Sequence, residues 1–320
     1  MPIISSTYKN PPWHLFNGHL ETIVPSLTRK VQGIMYHREK INTPDGDFLN
    51  LDWSSVGGGK LLIISHGLEG DSRRHYVMGL AKLFNQHGID VLAWNNRTCG
   101  GEMNLRPILY HHGASYDLKA VIAHALASKP YEEIFLVGIS MGGAQTLKYL
   151  GEEGIDLPAQ IKKAAVYSTP CNLPSSAATL KLRRNVFYKN RFLGKLKKKI
   201  EAKALQFPEL IDVELLRKVD DFDSFDTNFT AKIHGFKNAD DFYHSVSADN
   251  WMPNIPIPTL IVNALNDPLL GPECYPIKLA ESKSEIILEM PKRGGHTGFS
   301  VAGQEFTWSE YRILAMFLEG

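Results

Sequence analysis

Short apolar runs alternate along the chain with stretches of helical periodicity. The runs at 61–65, 89–95 and 133–138 are too short for helices, and their unbroken apolar character favours strands buried on both faces. Further strands are predicted at 164–168, 258–264 and 285–290, and helices at 76–86, 115–129, 141–150 and 308–318. This β-α-β-α order predicts an α/β protein with a mostly parallel central sheet flanked by helices.

The alternation is interrupted in two places. Residues 33–53 suit strands around a turn at 43–47, whereas residues 1–30 are interpreted as irregular because prolines punctuate them. Between residues 169 and 254 several helical stretches occur without a good strand. We therefore predict a single domain over residues 1–320 with a helical cap insertion at 170–254.

Composition and charge narrow the classes of function. The chain has 320 residues, of which 43% are hydrophobic and 22% charged, as is typical of a globular protein. Its net charge is +1, so the protein has no overall positive field that would attract nucleic acid. The three cysteines form no CxxC pair, which argues against a zinc site or a disulfide framework. No apolar run approaches the roughly 20 residues that span a bilayer, and no signal peptide is visible. We expect a cytoplasmic protein without metal or cofactor.

A glycine-flanked serine stands between a predicted strand and a predicted helix. The sequence GISMGG occupies residues 138–143 and fits the G-x-S-x-G pattern in its strand, turn and helix context. Small residues at 138 and 142 leave room for a strained turn, and the following helix N-terminus favours developing negative charge. The alternative is a chance match in a glycine-rich loop. We interpret Ser140 as a nucleophile in an α/β-hydrolase fold.

The loop after the first strong strand is the candidate oxyanion site. In this fold, that loop supplies one backbone N–H and the residue after the nucleophile supplies another. The candidates are therefore the N–H groups of Leu68, in the sequence HGLEG at 66–70, and of Met141. Taken alone, the loop is better explained as an ordinary strand-to-loop turn that needs glycine; the serine turn downstream favours the functional interpretation.

The acid and the base are sought after the nucleophile, because the chain order in this fold is serine, acid, histidine. Asp267 follows a late predicted strand, and His296 lies among glycines after the next one. We predict that Asp267 orients His296 and that His296 activates Ser140. Simpler readings are an Asx-turn for Asp267 and a surface position for His296. Asp223 and Asp226 are rival acids.

The chain resembles the YheT-like branch of the α/β-hydrolases from about residue 17 to 299. Beside the serine turn, the resemblance is carried by NGHLET (17–22), HGLEG (66–70), NRTCGGE (96–102), YHHG (110–113) before Asp117, FY (242–243), NALNDP (263–268) and GGHTGF (294–299). Thr98 and Asn266 depart from the pattern without touching the triad. The resemblance implies a carboxylesterase-type serine hydrolase with Ser140, Asp267 and His296 as its triad. Eukaryotic relatives carry an N-terminal membrane anchor, which is not seen here.

The predicted function is hydrolysis of a small-molecule or lipid-like carboxylic ester. Acyl transfer and thioester hydrolysis would use the same triad and stay open, as does a binding protein on a hydrolase scaffold. Chain length preference and oligomeric state are not readable from the residues.

Four further features have alternative interpretations. The basic run at 195–199 suits a solvated helix face or peripheral contact with an anionic membrane. Arg97 is interpreted as part of a structural turn, with substrate positioning as the alternative. Metal binding by His111 and His112 is disfavoured because adjacent residues do not share a helix face. Cys99 is expected to pack in a turn rather than act as a nucleophile.

Overall fold

A nine-stranded sheet forms the centre of the protein, and the computed structural model describes residues 3–319. The order across the sheet is β1-β9-β8-β7-β6-β4-β5-β3-β2, and neighbouring strands are parallel except for the pairs β2–β3 and β3–β5. The predicted mostly parallel sheet is thereby confirmed. The strands are β1 (Ile3–Ile4), β2 (His37–Asn42), β3 (Phe48–Ser54), β4 (Lys60–Ser65), β5 (Asp90–Asn95), β6 (Glu133–Ile139), β7 (Ile161–Tyr167), β8 (Thr259–Val262) and β9 (Ile286–Glu289).

Helices flank this sheet and fill the interval between β7 and β8. They are α1 (Gly18–Thr28), α2 (His75–Gln86), α3 (Ser115–Ser128), α4 (Met141–Glu153), α5 (Leu173–Leu180), α6 (Val186–Gln206), α7 (Val213–Arg217), α8 (Phe222–Phe225), α9 (Ala231–His234), α10 (Ala239–Val246), α11 (Ile277–Ser282) and α12 (Trp308–Leu318). The strands and helices predicted outside the N-terminal segment fall within about three residues of these bounds.

The apolar runs are buried on both faces of the sheet. In β4, Leu61 and Ile63 belong to one core cluster, whereas Leu62 and Ile64 belong to the other. Side chains of α3 and α4 complete the first cluster, and side chains of α2 and α12 complete the second. Alternate residues of one strand therefore face two separate apolar layers, which explains why the strand sequences lack a polar side.

The prediction that residues 1–30 are irregular was wrong. Residues 18–28 form α1, where the Asn17 side chain accepts a hydrogen bond from the Leu20 N–H at the helix start. Pro25 lies inside the helix and is buried. The helix is fixed by contacts with distant loops, including an ion pair of 3.0 Å between Glu21 and Arg293. The prolines in this segment argued against a helix, and nothing in the sequence indicated the tertiary contacts that stabilise one.

The interval between β7 and β8 is helical, as the sequence predicts. Helices α5 to α10 and short helical turns occupy it, and no strand occurs there among the described residues. Apolar side chains from α6, α7 and α8 form one cluster, and those from α5 and α10 form another. The interpretation of residues 170–254 as a cap inserted into one domain stays a prediction.

Candidate active site

Ser140 occupies a sharp turn between β6 and α4. Its backbone has φ 56° and ψ −121°, a left-handed conformation that is strained for any residue other than glycine. A Cβ at position 138 would lie 2.5 Å from the Gly142 carbonyl oxygen, and one at position 142 would lie 2.2 Å from the Ser65 carbonyl oxygen. The glycines are therefore required by close backbone approach, because the first turn of α4 lies directly against β4 and β6.

The structure brings Ser140, His296 and Asp267 into one hydrogen-bonded series. The Oγ of Ser140 lies 2.8 Å from Nε2 of His296, and Nδ1 of His296 lies 2.8 Å from Oδ2 of Asp267. The Asp267 side chain is completely buried, and 11% of the His296 side chain is exposed. A histidine held between a buried carboxylate and a hydroxyl can accept the hydroxyl proton while the carboxylate stabilises the resulting imidazolium.

Asp267 is fixed by the loop that follows β8. Its second carboxylate oxygen, Oδ1, accepts a hydrogen bond of 2.9 Å from the Leu269 N–H, and its own N–H donates to the Ala264 carbonyl oxygen. The Asx-turn that the sequence offered as an alternative is thus present. It leaves Oδ2 free to hold His296, so the two interpretations are compatible.

The rival acids lie elsewhere. Asp223 forms an ion pair with Lys181, and the buried Asp226 accepts hydrogen bonds from Thr230 (2.6 Å) and Tyr243 (2.8 Å). Burial raises the pKa of Asp226 to about 6. His296 pairs with Asp267 and with neither of these carboxylates.

Two backbone N–H groups near Ser140 have no acceptor within residues 3–319. They belong to Leu68 and Met141, the residues proposed for the oxyanion site. The amides on either side of Leu68 are engaged, since the Gly67 N–H donates to Tyr76 Oη and the Glu69 N–H donates to Tyr110 Oη. A Cβ at position 67 would lie 3.0 Å from Ser140 Cβ, so this loop lies directly beside the serine.

The loop that carries Leu68 is held by a polar cluster that the sequence did not single out as functional. Glu69 has a left-handed backbone (φ 54°), and its carboxylate lies 2.7 Å from Lys199 Nζ of α6. The Tyr110 hydroxyl donates to the same carboxylate and accepts the Glu69 N–H. These residues therefore fix the orientation of the neighbouring Leu68 N–H.

Helix α1 supports the histidine loop. The Thr22 hydroxyl oxygen accepts the His296 N–H at 2.8 Å and donates to the Gly18 carbonyl oxygen at 2.6 Å. Asn266, noted as a departure from the family pattern, accepts the Gly295 N–H at 3.0 Å and donates to Glu21 at 2.6 Å. The only sequence signal for this support is the run NGHLET at residues 17–22.

Two cavities reach Ser140 and share Leu68, Phe192, Leu269 and His296 in their walls. The first, here called the apolar cavity, encloses about 970 Å³ including space open to solvent. Its further walls are mainly apolar and include Leu109, Leu173, Leu180, Phe222, Phe225 and Leu270. The second cavity encloses about 700 Å³ and extends over α1 and α2. Its further walls include Thr22, Ile23, Arg74, Tyr76, Phe187 and Arg191.

Comparison with known proteins assigns the chain to a family. Residues 59–275 match the family described as serine aminopeptidase, S33. The chain is 30% identical over 315 residues to YheT of Escherichia coli strain K12, covering 95% of this chain and 92% of that protein. It is 28% identical over 308 residues to phospholipase ABHD3 of Mus musculus, covering 93% of this chain and 74% of that protein. The chain is a YheT-like α/β-hydrolase.

Solved structures agree with this assignment at the level of fold. The Pyrococcus furiosus esterase Pf2001 superposes with a TM-score of 0.58 at 17% identity, covering 90% of this chain and 93% of that chain. The YheT-like α/β-hydrolase described here is accordingly a hydrolase of the esterase and lipase type.

The structure decides between the alternatives for the basic run of this α/β-hydrolase. Lys195 Nζ donates to the Glu69 carbonyl oxygen at 3.3 Å, Lys197 Nζ donates to the Val219 carbonyl oxygen, and Lys199 pairs with the Glu69 carboxylate. Only 16% of the Lys199 side chain is exposed. Three of the lysines therefore have partners within the protein and Lys198 is exposed, so the run is only partly a solvated face.

Arg97, the paired histidines and Cys99 have structural surroundings. Arg97 is buried and pairs with Asp45, Asp47 and Asp117 at 2.7 to 2.9 Å, so it ties three chain segments together. Burial raises the pKa of Cys99 to about 11, which leaves a thiol at neutral pH. Within residues 3–319, no group of three potential ligands that include His111 or His112 could hold a metal ion.

None of the helices in the described part of this α/β-hydrolase is long and apolar enough to cross a membrane. The cytoplasmic location stays a prediction.

Proposed function

We propose that this α/β-hydrolase cleaves carboxylic esters through an acyl-enzyme formed on Ser140. The observation that carries the proposal is the continuous contact from the Ser140 hydroxyl through His296 to the buried Asp267 carboxylate, with both distances 2.8 Å. Ser140 Oγ attacks the ester carbonyl carbon while His296 Nε2 takes the hydroxyl proton. Asp267 fixes the imidazole with Nδ1 protonated and stabilises the imidazolium.

The tetrahedral intermediate places negative charge on the former carbonyl oxygen. We assign its stabilisation to the N–H groups of Leu68 and Met141, which lie beside Ser140 and have no acceptor among residues 3–319. Removing one such donor typically costs about 2.7–4 kcal/mol of transition-state stabilisation. The bond from the carbonyl carbon to the alcohol oxygen then breaks, and the alcohol leaves with the proton from His296. Water, activated by the same histidine, releases the carboxylic acid and restores Ser140.

The walls of the cavities favour esters over peptides. An aminopeptidase must recognise a positively charged amino terminus, for which a carboxylate near the nucleophile is the usual partner. The second cavity contains Arg74 and Arg191 in its walls and no aspartate or glutamate. The apolar cavity has one carboxylate in its walls, Asp226, and that group is already engaged by hydrogen bonds from other side chains. The apolar cavity suits a hydrocarbon chain, and the relatives named phospholipase, monoacylglycerol lipase and esterase support an ester substrate.

The test measures hydrolysis of p-nitrophenyl butyrate by the wild-type protein and by Ser140→Ala. We expect Ser140→Ala to lower kcat by about 10³-fold or more, because the nucleophile is lost. The matched control is Ser284→Ala, an exposed serine far along the chain, which should keep full turnover. A fluorophosphonate should label Ser140 in the wild-type protein, as located by mass spectrometry, and His296→Ala should abolish that labelling.

Wild-type turnover in Ser140→Ala would overturn the nucleophile assignment. Products identify the reaction class: equal amounts of acid and alcohol in water indicate hydrolysis, whereas a new ester formed with an added alcohol indicates acyl transfer. A parallel assay with a butyryl thioester measures the thioesterase alternative.

A further inference from the structure

The two cavities that meet at Ser140 differ in charge. The apolar cavity has no lysine or arginine in its walls, and its one carboxylate, Asp226, is engaged by Thr230 and Tyr243. The second cavity has two arginines in its walls and no acid. A substrate lying across Ser140 therefore meets hydrocarbon in one direction and positive charge in the other.

Both arginines of the second cavity lack a carboxylate partner. Arg74 immediately precedes α2 and Arg191 belongs to α6, so the two cations come from different elements. Within residues 3–319, neither lies within 4.0 Å of an aspartate or glutamate oxygen, although six other arginines do form ion pairs. Both residues are partly exposed, and both line the cavity.

A third cation stands beside them. Lys195 follows Arg191 by one helical turn on α6, and residues at that spacing lie on the same helix face. Burial lowers the pKa of Lys195, and the charges of Arg74 and Arg191 lower it further. The acid whose charge acts on Lys195 is Glu69, and its carboxylate is engaged by Lys199 and Tyr110. The protein thus keeps a cluster of like charges beside the nucleophile without neutralising it.

His75 also lines the second cavity but adds no charge. Burial, together with the charges of Arg29 and Arg74, lowers its pKa to about 3, so the imidazole is neutral at pH 7. The positive field in this cavity is therefore supplied by arginine, whose planar guanidinium matches carboxylate and phosphate oxygens with paired hydrogen bonds.

We propose that the second cavity binds an anionic group of the substrate, a carboxylate or a phosphate, through Arg74 and Arg191, while the apolar cavity holds a hydrocarbon chain. The inference rests on the proposed ester hydrolysis, because it concerns the substrate of the same site. The expected substrate is therefore an amphiphilic ester, with an anionic group on one side of the scissile bond and a hydrocarbon chain on the other.

The experiment compares three esters that share an octanoyl chain and a phenolic leaving group. One is the ester of 3-(4-hydroxyphenyl)propionate, the second replaces its carboxylate by the primary amide of the same shape, and the third carries a phosphate monoester at that end. We expect kcat/KM for an anionic ester to exceed that for the amide by about tenfold or more, mainly through KM, as expected when a charged hydrogen bond is added. The larger of the two preferences identifies the anion.

Paired variants assign the preference to the arginines. In Arg74→Gln and in Arg191→Gln the anionic preference should fall below about threefold. The controls Arg73→Gln and Lys198→Gln remove one charge from exposed neighbours on the same elements and should keep the wild-type preference. Raising the ionic strength from 0.05 to 0.5 M, on the order of a threefold reduction in screening length, should also reduce the preference.

The outcomes separate the two proposals. Hydrolysis of the amide ester with no preference for either anion, or a preference that survives in both arginine variants, overturns this inference and leaves ester hydrolysis standing. Failure of the wild-type protein to hydrolyse any of the three esters counts against the proposed function itself. Thermal unfolding of each variant identifies any loss of the folded protein.

Discussion

At the residue scale, the serine turn shows how a strained conformation is maintained. Ser140 has φ 56°, which costs on the order of 1–3 kcal/mol for a residue with a side chain. The structure tolerates this because β6 and α4 hold the residues on either side, and Gly138 and Gly142 allow the backbones to touch. The strain turns the hydroxyl out of the sheet and towards His296.

Asp267 is the member of the proposed triad whose replacement is most informative. We expect Asp267→Asn to reduce kcat by roughly 10³–10⁴-fold with little change in KM, because an amide favours the wrong imidazole tautomer and cannot stabilise the imidazolium. Steady-state kinetics with p-nitrophenyl butyrate measure this effect. Asp223→Asn is the matched control, since Asp223 is a rival acid that pairs with Lys181 instead. If the control loses activity and Asp267→Asn keeps it, the acid is misassigned.

At the scale of elements, α1 contributes more to the site than its sequence suggests. It is short and interrupted by Pro25, yet it provides the acceptor for the His296 N–H and the carboxylate that binds Arg293. A helix of 11 residues gains little from propensity alone. Its position is decided by contacts with loops more than 240 residues further along the chain.

This arrangement makes Thr22 a testable positioning residue. In Thr22→Val the His296 N–H loses its acceptor, and we expect kcat to fall about fivefold to tenfold while KM changes little, consistent with one lost hydrogen bond. Thr22→Ser keeps the hydroxyl and should restore activity. Thr28→Val removes the hydroxyl of a threonine in the last turn of the same helix, which bonds only within α1, and should be silent. Equal kcat in Thr22→Val and wild type would contradict the role.

Helix α6 illustrates a pattern whose interpretation as a solvated face was only partly right. Within the basic run at 195–199, Lys198 is exposed, whereas Lys199 binds Glu69. Beyond the run, the fully buried Lys203 donates to the carbonyl oxygens of Asn104 and Arg106. Long side chains reach polar partners that sequence periodicity does not reveal. These lysines therefore attach the helical region to loops of the rest of the protein.

At the scale of the whole molecule, the parallel sheet explains why distant residues meet. Ser140 follows β6, Asp267 follows β8 and His296 follows β9. Parallel strands end at the same edge, so the loops after them converge there regardless of their separation in sequence. The Leu68 loop follows β4, which pairs directly with β6, and Ser65 lies opposite Gly138 in that pair.

Buried histidines make the stability of the whole protein depend on pH. His66 is fully buried, and burial lowers its pKa from 6.5 to about 4. Its Nε2 accepts the Asn96 N–H, which requires the neutral ring. Burial likewise lowers the pKa of four other histidines, His75, His111, His112 and His234. Between pH 6.5 and 4 the unfolded chain therefore binds more protons at these groups than the folded protein does.

We accordingly expect these histidines to make their whole contribution to the free energy of unfolding above pH 6.5. The free energy of unfolding should then fall as the pH decreases towards 4. The shift of His66 alone corresponds to roughly 3 kcal/mol at low pH. Burial also raises the pKa of three carboxyl groups, Asp117, Asp226 and Glu310, which act in the opposite direction but are three groups against five. Urea denaturation at several pH values measures the effect, and His244→Gln, at an exposed histidine, should leave the curve unchanged. An unfolding free energy that stays constant over this range would contradict the expectation.

The sequence by itself determined the α/β class and, beyond the N-terminal segment, the strand and helix order, and it identified Ser140, Asp267 and His296 as the residues that we propose for catalysis. It could do so because strands buried on both faces are continuously apolar, and because the serine turn needs glycines at fixed positions. These requirements are local, because they concern residues that lie close together in the sequence.

Only the tertiary structure decided the contacts between distant segments. It showed that α1 supports the histidine loop, that Lys199 and Lys203 of α6 turn inward, and that two cavities of different charge meet at Ser140. Such contacts depend on which side chains the folded sheet and helices bring together. The periodicity of the sequence does not show which distant residues will meet. The residues that we propose for the chemistry were therefore identifiable from the sequence, whereas those that we propose to position them and to bind the substrate were not.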